Sequence, residues 1–413
     1  MSKMKQRNLI AAAVALLSST GASALELNAG DYKFTVNGNI NVHYIYSSCE
    51  NNASLIGGGL ACTENGSAGN NSSISNGLLP AALSFGVITQ QAGLDIEAHF
   101  GFYPGVSSND GGSPNLQQGA PIGSNVGLAT TGLDVRQVYL TFGNKDIGTF
   151  LFGRNFGLFG FDAIINDITI PGVGAAGAAA GGAPANTTLG SIGLGYLYTD
   201  TLAQINYSTP DFSGLKATVG IYDPLNPVGG AVNQKSAPGF HGKVTYTTEL
   251  SGAKVYLSAS GLTQKQNDQG PLGDVSYTAS AVDFGGKVSI ADFEFAGWYY
   301  LGDGVGTTAL FLLGDASAAG LGKRESDGFL AQATYKLGAT KFGINYGESN
   351  LDRANGEAAS TLVKSNKKVT GGVYHSLTKN LTLVGEVTSI EAKNHLGGKN
   401  EALNFNVGTF LSF

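Results

Sequence analysis

The sequence has 413 residues and a formal net charge of −6, and only 13% of its residues are charged. That share is about half of what soluble domains carry, and an acidic chain lacks the basic surface that nucleic-acid binding requires. Beyond the first 24 residues, no apolar stretch reaches the ~20 residues of a membrane-spanning helix. The chain has few charges and 62 glycines, and it can still span a membrane by forming a closed β-barrel.

Residues 1–24 have the features of a secretory signal peptide. Three basic residues precede an apolar core at 9–17, and residues 22–24 read Ala-Ser-Ala, an A-x-A cleavage site. The core is too short to anchor the chain as a helix. We therefore expect a cleaved leader and a mature chain of residues 25–413. Loss of three positive charges gives this mature chain a formal charge of −9.

Cys49 and Cys62 are the only cysteines, and both lie in one polar segment. In an exported chain, such a pair favours a disulfide over a metal site or a reactive thiol. We therefore predict a local disulfide that closes a short loop.

Alternation of apolar and polar residues is the strongest pattern of the mature chain. From Tyr32 to Tyr44 every second residue is apolar or glycine, and the residues between them read Lys-Thr-Asn-Asn-Asn-His. This period of two places the two sets on opposite faces of a strand. The same pattern predicts 16 strands, near 32–46, 81–91, 93–103, 133–143, 147–154, 200–208, 214–223, 239–248, 252–264, 277–290, 293–302, 327–337, 340–348, 367–376, 380–391 and 402–413.

The connections between these strands alternate strictly between short and long. Links of two to four residues are followed each time by a longer polar or glycine-rich segment, such as 104–132, 155–199 or 303–326. A soluble sandwich has no reason to collect all its tight turns at one end. The alternation therefore predicts an all-β fold, a transmembrane antiparallel β-barrel of 16 strands. Its short turns would face the periplasm and its long loops the outside, with both chain ends at the short-turn rim.

Three segments resemble the Gram-negative general diffusion porins. Residues 142–157 are similar to the hairpin that precedes the third loop of that family, including a Gly-Arg-Asn-Phe-Gly motif. Residues 206–214, Asn-Tyr-Ser-Thr-Pro-Asp-Phe-Ser-Gly, are similar to a family turn. The amphipathic last strand ends in Phe413, like the segment that the outer-membrane assembly machinery recognises in the family.

The resemblance implies a trimeric 16-stranded barrel whose third loop, here about 155–199, folds into the lumen. Arg154 matches a family arginine of the pore constriction, which would face Asp162 and Asp167 on that loop. Arg136 is a further candidate for the constriction. The family motif Pro-Glu-Phe-Gly-Gly is missing from the loop, so a preference for cations is not carried over. The resemblance also implies a homotrimer in the outer membrane that contacts lipopolysaccharide.

Strand parity predicts which charged residues face the lumen. A charge on the lipid face at the bilayer midplane costs about 2–4 kcal/mol, whereas a charge that faces water costs little. Lysines outnumber acids on the predicted lumen face, so a weak preference for anions is expected. The residues are Lys33, Lys216, Lys243, Lys287, Lys336, Lys341 and Lys368, with Asp95, Glu97, Asp283, Glu294 and Glu386. Trp298, Tyr299 and Tyr300 are interpreted as an aromatic girdle at the membrane interface.

The predicted function is a water-filled channel for passive diffusion of small polar solutes and ions. Two alternatives remain open: a channel selective for a sugar, phosphate or an organic acid, and a structural or adhesin barrel that displays its loops. The histidines show no paired metal spacing, and no Ser–His pair marks a lipase. Residues 172–177 match G-x-G-x-x-G, but Gly-Gly-Ala-Pro at 181–184 would break the helix that a dinucleotide site needs. No enzyme activity, metal or cofactor is expected.

Overall fold

The computed structural model describes residues 25–51, 54–62, 70–106, 133–177, 186–226, 235–270, 273–312, 314–317 and 322–413. Within these ranges the chain forms strands and one short helix, α1 (Phe161–Ile165). The strands are β1 (Leu25–Ala29), β2 (Tyr32–Asn51), β3 (Asn71–Ser75), β4 (Ala82–Gln91), β5 (Leu94–Pro104), β6 (Leu133–Asn144), β7 (Gly148–Phe156), β8 (Thr201–Ser208), β9 (Leu215–Tyr222), β10 (Gly239–Leu250), β11 (Ala253–Gly270), β12 (Gly273–Ile290), β13 (Phe293–Asp303), β14 (Glu325–Leu337), β15 (Thr340–Leu351), β16 (Val363–Ser376), β17 (Leu381–Asn394) and β18 (Lys399–Ser412).

Sixteen of these strands, β2 and β4–β18, form a closed antiparallel barrel. Each pairs with its neighbours along the chain, and β18 closes the ring by pairing with β2, for example Val407 opposite Tyr44. The predicted strand count and antiparallel order are therefore confirmed. The two additional strands, β1 and β3, each pair with one part of β2, and the sequence pattern did not predict them.

The predicted alternation sorts residues between the two faces of the barrel wall. On β2, Ile40 is 50% exposed on the outer face, whereas His43 is fully buried on the inner face. Asn39 and Asn41 share the inner face with His43, and Phe34 and Tyr44 share the outer one. The barrel therefore has an apolar outside and a polar inside, the reverse of a soluble β-barrel.

Tight turns join the strands at one end of the barrel. Between β4 and β5, Ala92 and Gly93 have φ of 49° and 79°, and Ser251 and Gly252 between β10 and β11 have 50° and 82°. Positive φ at both central residues is the geometry of a type I′ turn, whose twist matches that of the flanking strands. Glycine at the second position adopts this backbone without strain, which explains why links of two residues suffice here.

Both described chain ends lie at this short-turn rim. The Phe413 carbonyl accepts from the Gly38 amide at 2.9 Å, and the Phe413 amide donates to the Gly38 carbonyl at 3.0 Å. The first strand, β1, starts at Leu25 opposite Val36, just beside this closure. Phe413 therefore completes the seam between β18 and β2.

The interface girdle predicted on β13 is wrong for two of its three aromatic residues. Trp298 and Tyr300 are 3% and 2% exposed and lie on the inner face, and the Trp298 indole donates to Ser258 Oγ at 3.0 Å. Only Tyr299 falls on the outer face, in line with Leu301. Adjacent residues of a strand point to opposite faces, so a run of three aromatics cannot all face lipid.

Candidate pore constriction

The long third loop, L3 (157–200), folds inward and contacts the lumen wall on several strands; its described parts are 157–177 and 186–200. The Gly160 amide donates to Ser260 on β11 at 3.3 Å, and the Ile168 amide donates to Gln332 on β14 at 3.1 Å. The Gly195 amide donates to Ser349 on β15 at 3.0 Å. Because these acceptors are inner-face residues of separated strands, the loop crosses the inside of the barrel.

Glu386 on β17 is the main carboxylate that holds L3 to the wall. Its side chain is 2% exposed and accepts from the amides of Val173 and Gly174 at 2.8 and 2.9 Å. The Tyr374 hydroxyl donates to the same carboxylate at 2.6 Å, and the Asn406 amide group donates at 2.9 Å. Four donors thus converge on one buried acid, which fixes the position of the loop backbone.

Asp162 stands on α1, and its partner is a lysine of the barrel wall. Lys243 Nζ on β10 lies 3.0 Å from Asp162 Oδ2, and the Tyr256 hydroxyl on β11 donates to Oδ1. Lys243 also lies 5.3 Å from the centre of the Phe161 ring. The loop acid predicted for the constriction is therefore joined to β10 and β11.

Asp167 organises the interior of L3. It accepts from the Thr169 amide at 3.0 Å, from the Ser191 amide at 3.1 Å and from the Tyr196 hydroxyl at 2.8 Å. Burial and the nearby carboxylate raise the pKa of Tyr196 well above its ordinary value, so the phenol keeps the proton that it donates. Asp167 thereby links the outgoing and returning halves of the loop.

Arg154 lies elsewhere than the family resemblance implies. In register it pairs with Val138 on β6 and Ala203 on β8, which are exposed on the outer face. Its guanidinium donates to Thr201 Oγ1 at 2.9 Å. The predicted opposition of Arg154 to Asp162 and Asp167 is therefore wrong, because strand parity turns the side chain away from the lumen.

Arg136 is buried on the inner face near the long-loop end of β6. An irregularity in the pairing of β5 with β6, between Gly101 and Phe102, shifts the parity of β6 and turns Arg136 inward. Its Nε donates to Asp134 at 2.7 Å, and its guanidinium lies 5.1 Å from the centre of the Tyr103 ring. The positive charge is thus balanced by a neighbour two residues away.

The remaining predicted lumen charges lie on the inner face. Lys33, at the short-turn rim, pairs with Glu26 of β1 at 2.9 Å. Asp95 accepts from Gln90 at 3.0 Å, and Glu97 lies 3.6 Å from His99. Lys216 and Lys243 line a common cavity below L3. Cys49 and Cys62 are joined as a disulfide that ties the first long loop, L1 (52–81), to the end of β2.

A second long loop, L6 (304–324), also folds inward, and the sequence analysis missed it. The Tyr198 amide of L3 donates to the Thr308 carbonyl at 3.0 Å, and the Leu310 amide donates back to the Tyr198 carbonyl at 3.3 Å. Leu310 and Phe311 are 2% and 0% exposed and pack against Phe159 of L3. The apolar run Ala-Leu-Phe-Leu at 309–312 could have indicated that this loop is buried, since contiguous apolar residues are unusual in a loop exposed to water.

Loop L7 (352–362) is joined to L6 by an ion pair with a testable pH dependence. Arg324 Nε donates to Glu357 Oε2 at 2.8 Å, and the guanidinium hydrogen bonds lower the pKa of Glu357 from 4.5 to about 2. Because a depressed carboxyl pKa stabilises the folded state only while the group is ionised, the junction is at full strength above pH 4.5 and weakens as the pH falls towards 2.

We expect hydrogen-exchange protection factors of the L7 amides to stay constant from pH 7 to 5 and to fall at lower pH. Glu357→Gln is expected to show the weakened junction at neutral pH. Glu401→Gln, a partly exposed acid outside the junction, serves as control. Protection that is unchanged in Glu357→Gln would show that the pair does not hold the loop.

Among the described residues, no group of three or more His, Cys, Asp or Glu could hold a metal ion. Likewise, the described part of the chain contains no helix that is long and apolar enough to cross a membrane.

Known structures share the barrel. The chain is similar to the outer-membrane channel DcaP of Acinetobacter baumannii, with a TM-score of 0.66 and 15% identity over 95% of this chain and 100% of the other. For an anion-selective porin from Comamonas acidovorans the TM-score is 0.61 and the identity 13%, over 92% of this chain and 100% of the other. For Salmonella typhi OmpF in complex with daunomycin the TM-score is 0.54 and the identity 15%, over 94% of this chain and 100% of the other. At such identities the likeness concerns the fold. No curated protein sequence matches the chain.

A comparison with models of protein families shows to which family the chain belongs. The model of the Gram-negative porins matches residues 11–395, nearly the whole chain. With the closed 16-stranded barrel, the polar lumen and the inward loop, the match fixes both the location and the type of activity. The chain belongs to the Gram-negative porin family and forms an outer-membrane channel for passive diffusion.

Proposed function

We propose that the mature chain, residues 25–413, is a homotrimeric channel whose passage is narrowed by L3 and admits small polar solutes and ions. The observation that carries this proposal is the four-donor contact of Glu386, which holds the loop backbone across the lumen. A fixed loop sets a size limit, and charged wall residues orient water and ions at the neck. The signal segment predicts a mature N-terminus at Leu25, which N-terminal sequencing would test.

Purified protein in planar bilayers tests the channel. We expect stepwise and lasting conductance increases in KCl, in groups of three, and liposome swelling rates that fall as the added sugar becomes larger. Absence of conductance would favour a structural barrel. Swelling with one sugar, and none with other sugars of its size, would favour a substrate-selective channel.

A trimer interface along β6–β9 is supported by the height of the wall. β7, β8 and β9 have 9, 8 and 8 residues, whereas β11 and β12 have 18 each. At a tilt of about 45°, eight residues rise only ~19 Å, which is less than the apolar band of about 25 Å that lipid requires. A wall this low is better covered by another subunit than by lipid.

Arg154 provides a test of this interface. It lies on the outer face of the low wall, near the long-loop end of β7, where a charge exposed to lipid costs roughly 0–1 kcal/mol, compared with about 2–4 kcal/mol at the midplane. We expect Arg154→Ala to lower the temperature at which trimers dissociate on native gels and to leave the reversal potential in a KCl gradient unchanged. Lys367→Ala, an outer-face cation of β16 on the high wall, is the control. A changed reversal potential with intact trimers would return Arg154 to the constriction.

Contact with lipopolysaccharide is supported by a basic group on the outer face at the long-loop rim. Lys367, Lys393 and Lys399 converge on Glu391 at 2.9, 3.0 and 2.8 Å, and Lys399 also pairs with Glu401 at 2.8 Å, so three lysines share two carboxylates. Phosphate groups bind such lysines. Replacing the three lysines with Gln should reduce the lipopolysaccharide that copurifies.

Deletion of Phe413 should reduce insertion by the outer-membrane assembly machinery, as measured by the folded fraction on unheated gels.

A further inference from the structure

A cavity of about 560 Å³ lies below L3, and its wall has two chemically different parts. That volume is within the range of small-molecule sites. The apolar part is formed by the underside of the loop and the adjoining end of β7, and the basic part by lysines of four consecutive strands, β9 to β12. The apolar residues of this part are Phe156, Leu158, Phe161 and Ile165, and Leu151 and Val255 also line the cavity; the lysines are Lys216, Lys243, Lys254 and Lys287.

The basic part carries an excess of positive charge. Of the described residues that line the cavity, Asp162 is the single acid, and it is already engaged with Lys243 at 3.0 Å. Lys287 lies 3.5 Å from Glu294. The ion pairs of the described residues include neither Lys216 nor Lys254. Both ammonium groups therefore lie outside ion pairs, with Asp211 acting electrostatically on Lys216 and Glu249 opposite Lys254 in the register of β10 and β11.

Strand register places these lysines close together. Lys254 lies opposite Ser289, two residues from Lys287, so Lys254 and Lys287 are diagonal neighbours on β11 and β12. Lys216 lies opposite Thr245, two residues from Lys243. Diagonal neighbours on one sheet face are about 7–8 Å apart, which is within reach of long side chains. A single anionic group can thus interact with more than one lysine.

The apolar part lies directly beside this charge. The rings of Phe156 and Phe161 are 5.3 Å apart, and Leu158 and Ile165 remain partly exposed next to them. The ring of Phe161 lies 5.3 Å from Lys243 Nζ, so the apolar and basic surfaces adjoin at this point. A simple inorganic anion would leave the apolar surface in water, and a neutral apolar solute would leave the ammonium groups unused.

We propose that this cavity is a binding site for small amphiphilic carboxylates, of the chemical class of aromatic acids. The carboxylate interacts with Lys216 or with Lys254, each of which lies beside a second lysine, and the ring packs on Leu158, Phe161 and Ile165. This inference rests on the proposed function, since the cavity then lies in the water-filled lumen. It gives the channel a solute preference that neither size nor net charge alone would produce.

Block of the KCl current tests the site, with benzoate as probe and acetate and benzyl alcohol as comparisons. Partial burial of a phenyl ring corresponds to about tenfold in affinity. We therefore expect benzoate to halve the current at a concentration about tenfold lower than acetate, and benzyl alcohol to block least. Equal block by benzoate and acetate would overturn the proposal.

Two variants separate the two parts of the site. Lys216→Gln with Lys254→Gln should raise the half-blocking benzoate concentration about five- to tenfold, because each lysine pair loses the member that is outside an ion pair. Ile165→Asn should reduce the preference for benzoate over acetate. Lys379→Gln, in an exposed turn at the same end of the barrel, is the charge control. Block by benzoate that is unchanged in the double lysine variant would overturn the proposal.

Failure of the inference and failure of the channel proposal are distinguishable. Steady KCl steps without selective block by benzoate would reject the carboxylate site alone. Absence of KCl steps before any probe is added would reject the channel itself. The folded state of each variant is checked by its migration on unheated gels, so loss of block through misfolding is recognised.

Discussion

Replacing Glu386 with Ala is expected to release L3 from the wall and to destabilise the barrel. The substitution leaves the amides of Val173 and Gly174 and the hydroxyl of Tyr374 without their acceptor. It also leaves Lys368, which is 1% exposed and interacts electrostatically with Glu386, with less compensation for its charge. Each buried donor that is left without its acceptor costs about 1–3 kcal/mol. We expect larger and noisier single-channel conductance and a lower unfolding temperature on heat-modifiability gels.

Two variants serve as controls for this result. Glu294→Ala removes another inner-face carboxylate that contacts Lys287 at 3.5 Å and has no contact with L3 among its described interactions. It should leave conductance noise and unfolding temperature close to wild type. Glu386→Gln keeps the shape and one acceptor oxygen, so its effects should be intermediate. Wild-type conductance in Glu386→Ala would show that the loop is held by other contacts.

Replacing Gly347 with Ala is the second change with a large expected effect. Gly347 lies on the inner face of β15, where the L3 backbone rests directly on it. A Cβ built at this position would collide with the Leu194 carbonyl oxygen and approach the Gly195 Cα to 3.3 Å. Since both obstacles are backbone atoms, no rotamer change relieves the clash, and the loop must move. Overpacking of this kind costs about 1–3 kcal/mol.

The expected result of Gly347→Ala is a changed conductance with a lower unfolding temperature. Gly371→Ala on the adjacent strand β16 is the matched control, because a Cβ at Gly371 meets nothing within 4 Å. Both substitutions replace glycine by alanine in neighbouring strands, so backbone propensity cancels in the comparison. If the two variants behaved alike, contact between L3 and β15 would not shape the pore.

The barrel was predictable because its signal is local. Alternation along a strand depends only on which face each residue must occupy, so all 16 strands could be assigned from the sequence. The boundaries differ by a few residues at the long-loop ends, as in β2, which continues to Asn51. β1 and β3 were missed, since five residues give too short a pattern.

The candidate constriction was less predictable because its contacts are remote in sequence. Val173 and Glu386 are separated by 213 residues, and no local pattern indicates that such a pair will meet. Arg154 is instructive in the opposite sense. Phe150, Phe152 and Arg154 have the same parity, so the alternation that predicts an outward Phe152 also predicts an outward Arg154. The family motif and the strand parity therefore give opposite predictions for Arg154, and its register on β7 follows the parity.

The seam between the first and last barrel strands governs how this chain can fold. Hairpins such as β11–β12 form between strands that are adjacent in the sequence, whereas β2 can pair with β18 only after the C-terminal residues are present. Until then two long strand edges remain unpaired, and such edges readily join other chains. Export must therefore deliver an extended, aggregation-prone polypeptide that is kept apart from its copies until Phe413 is available. A chain that loses β18 would keep nearly every hairpin and still fail to become a closed wall.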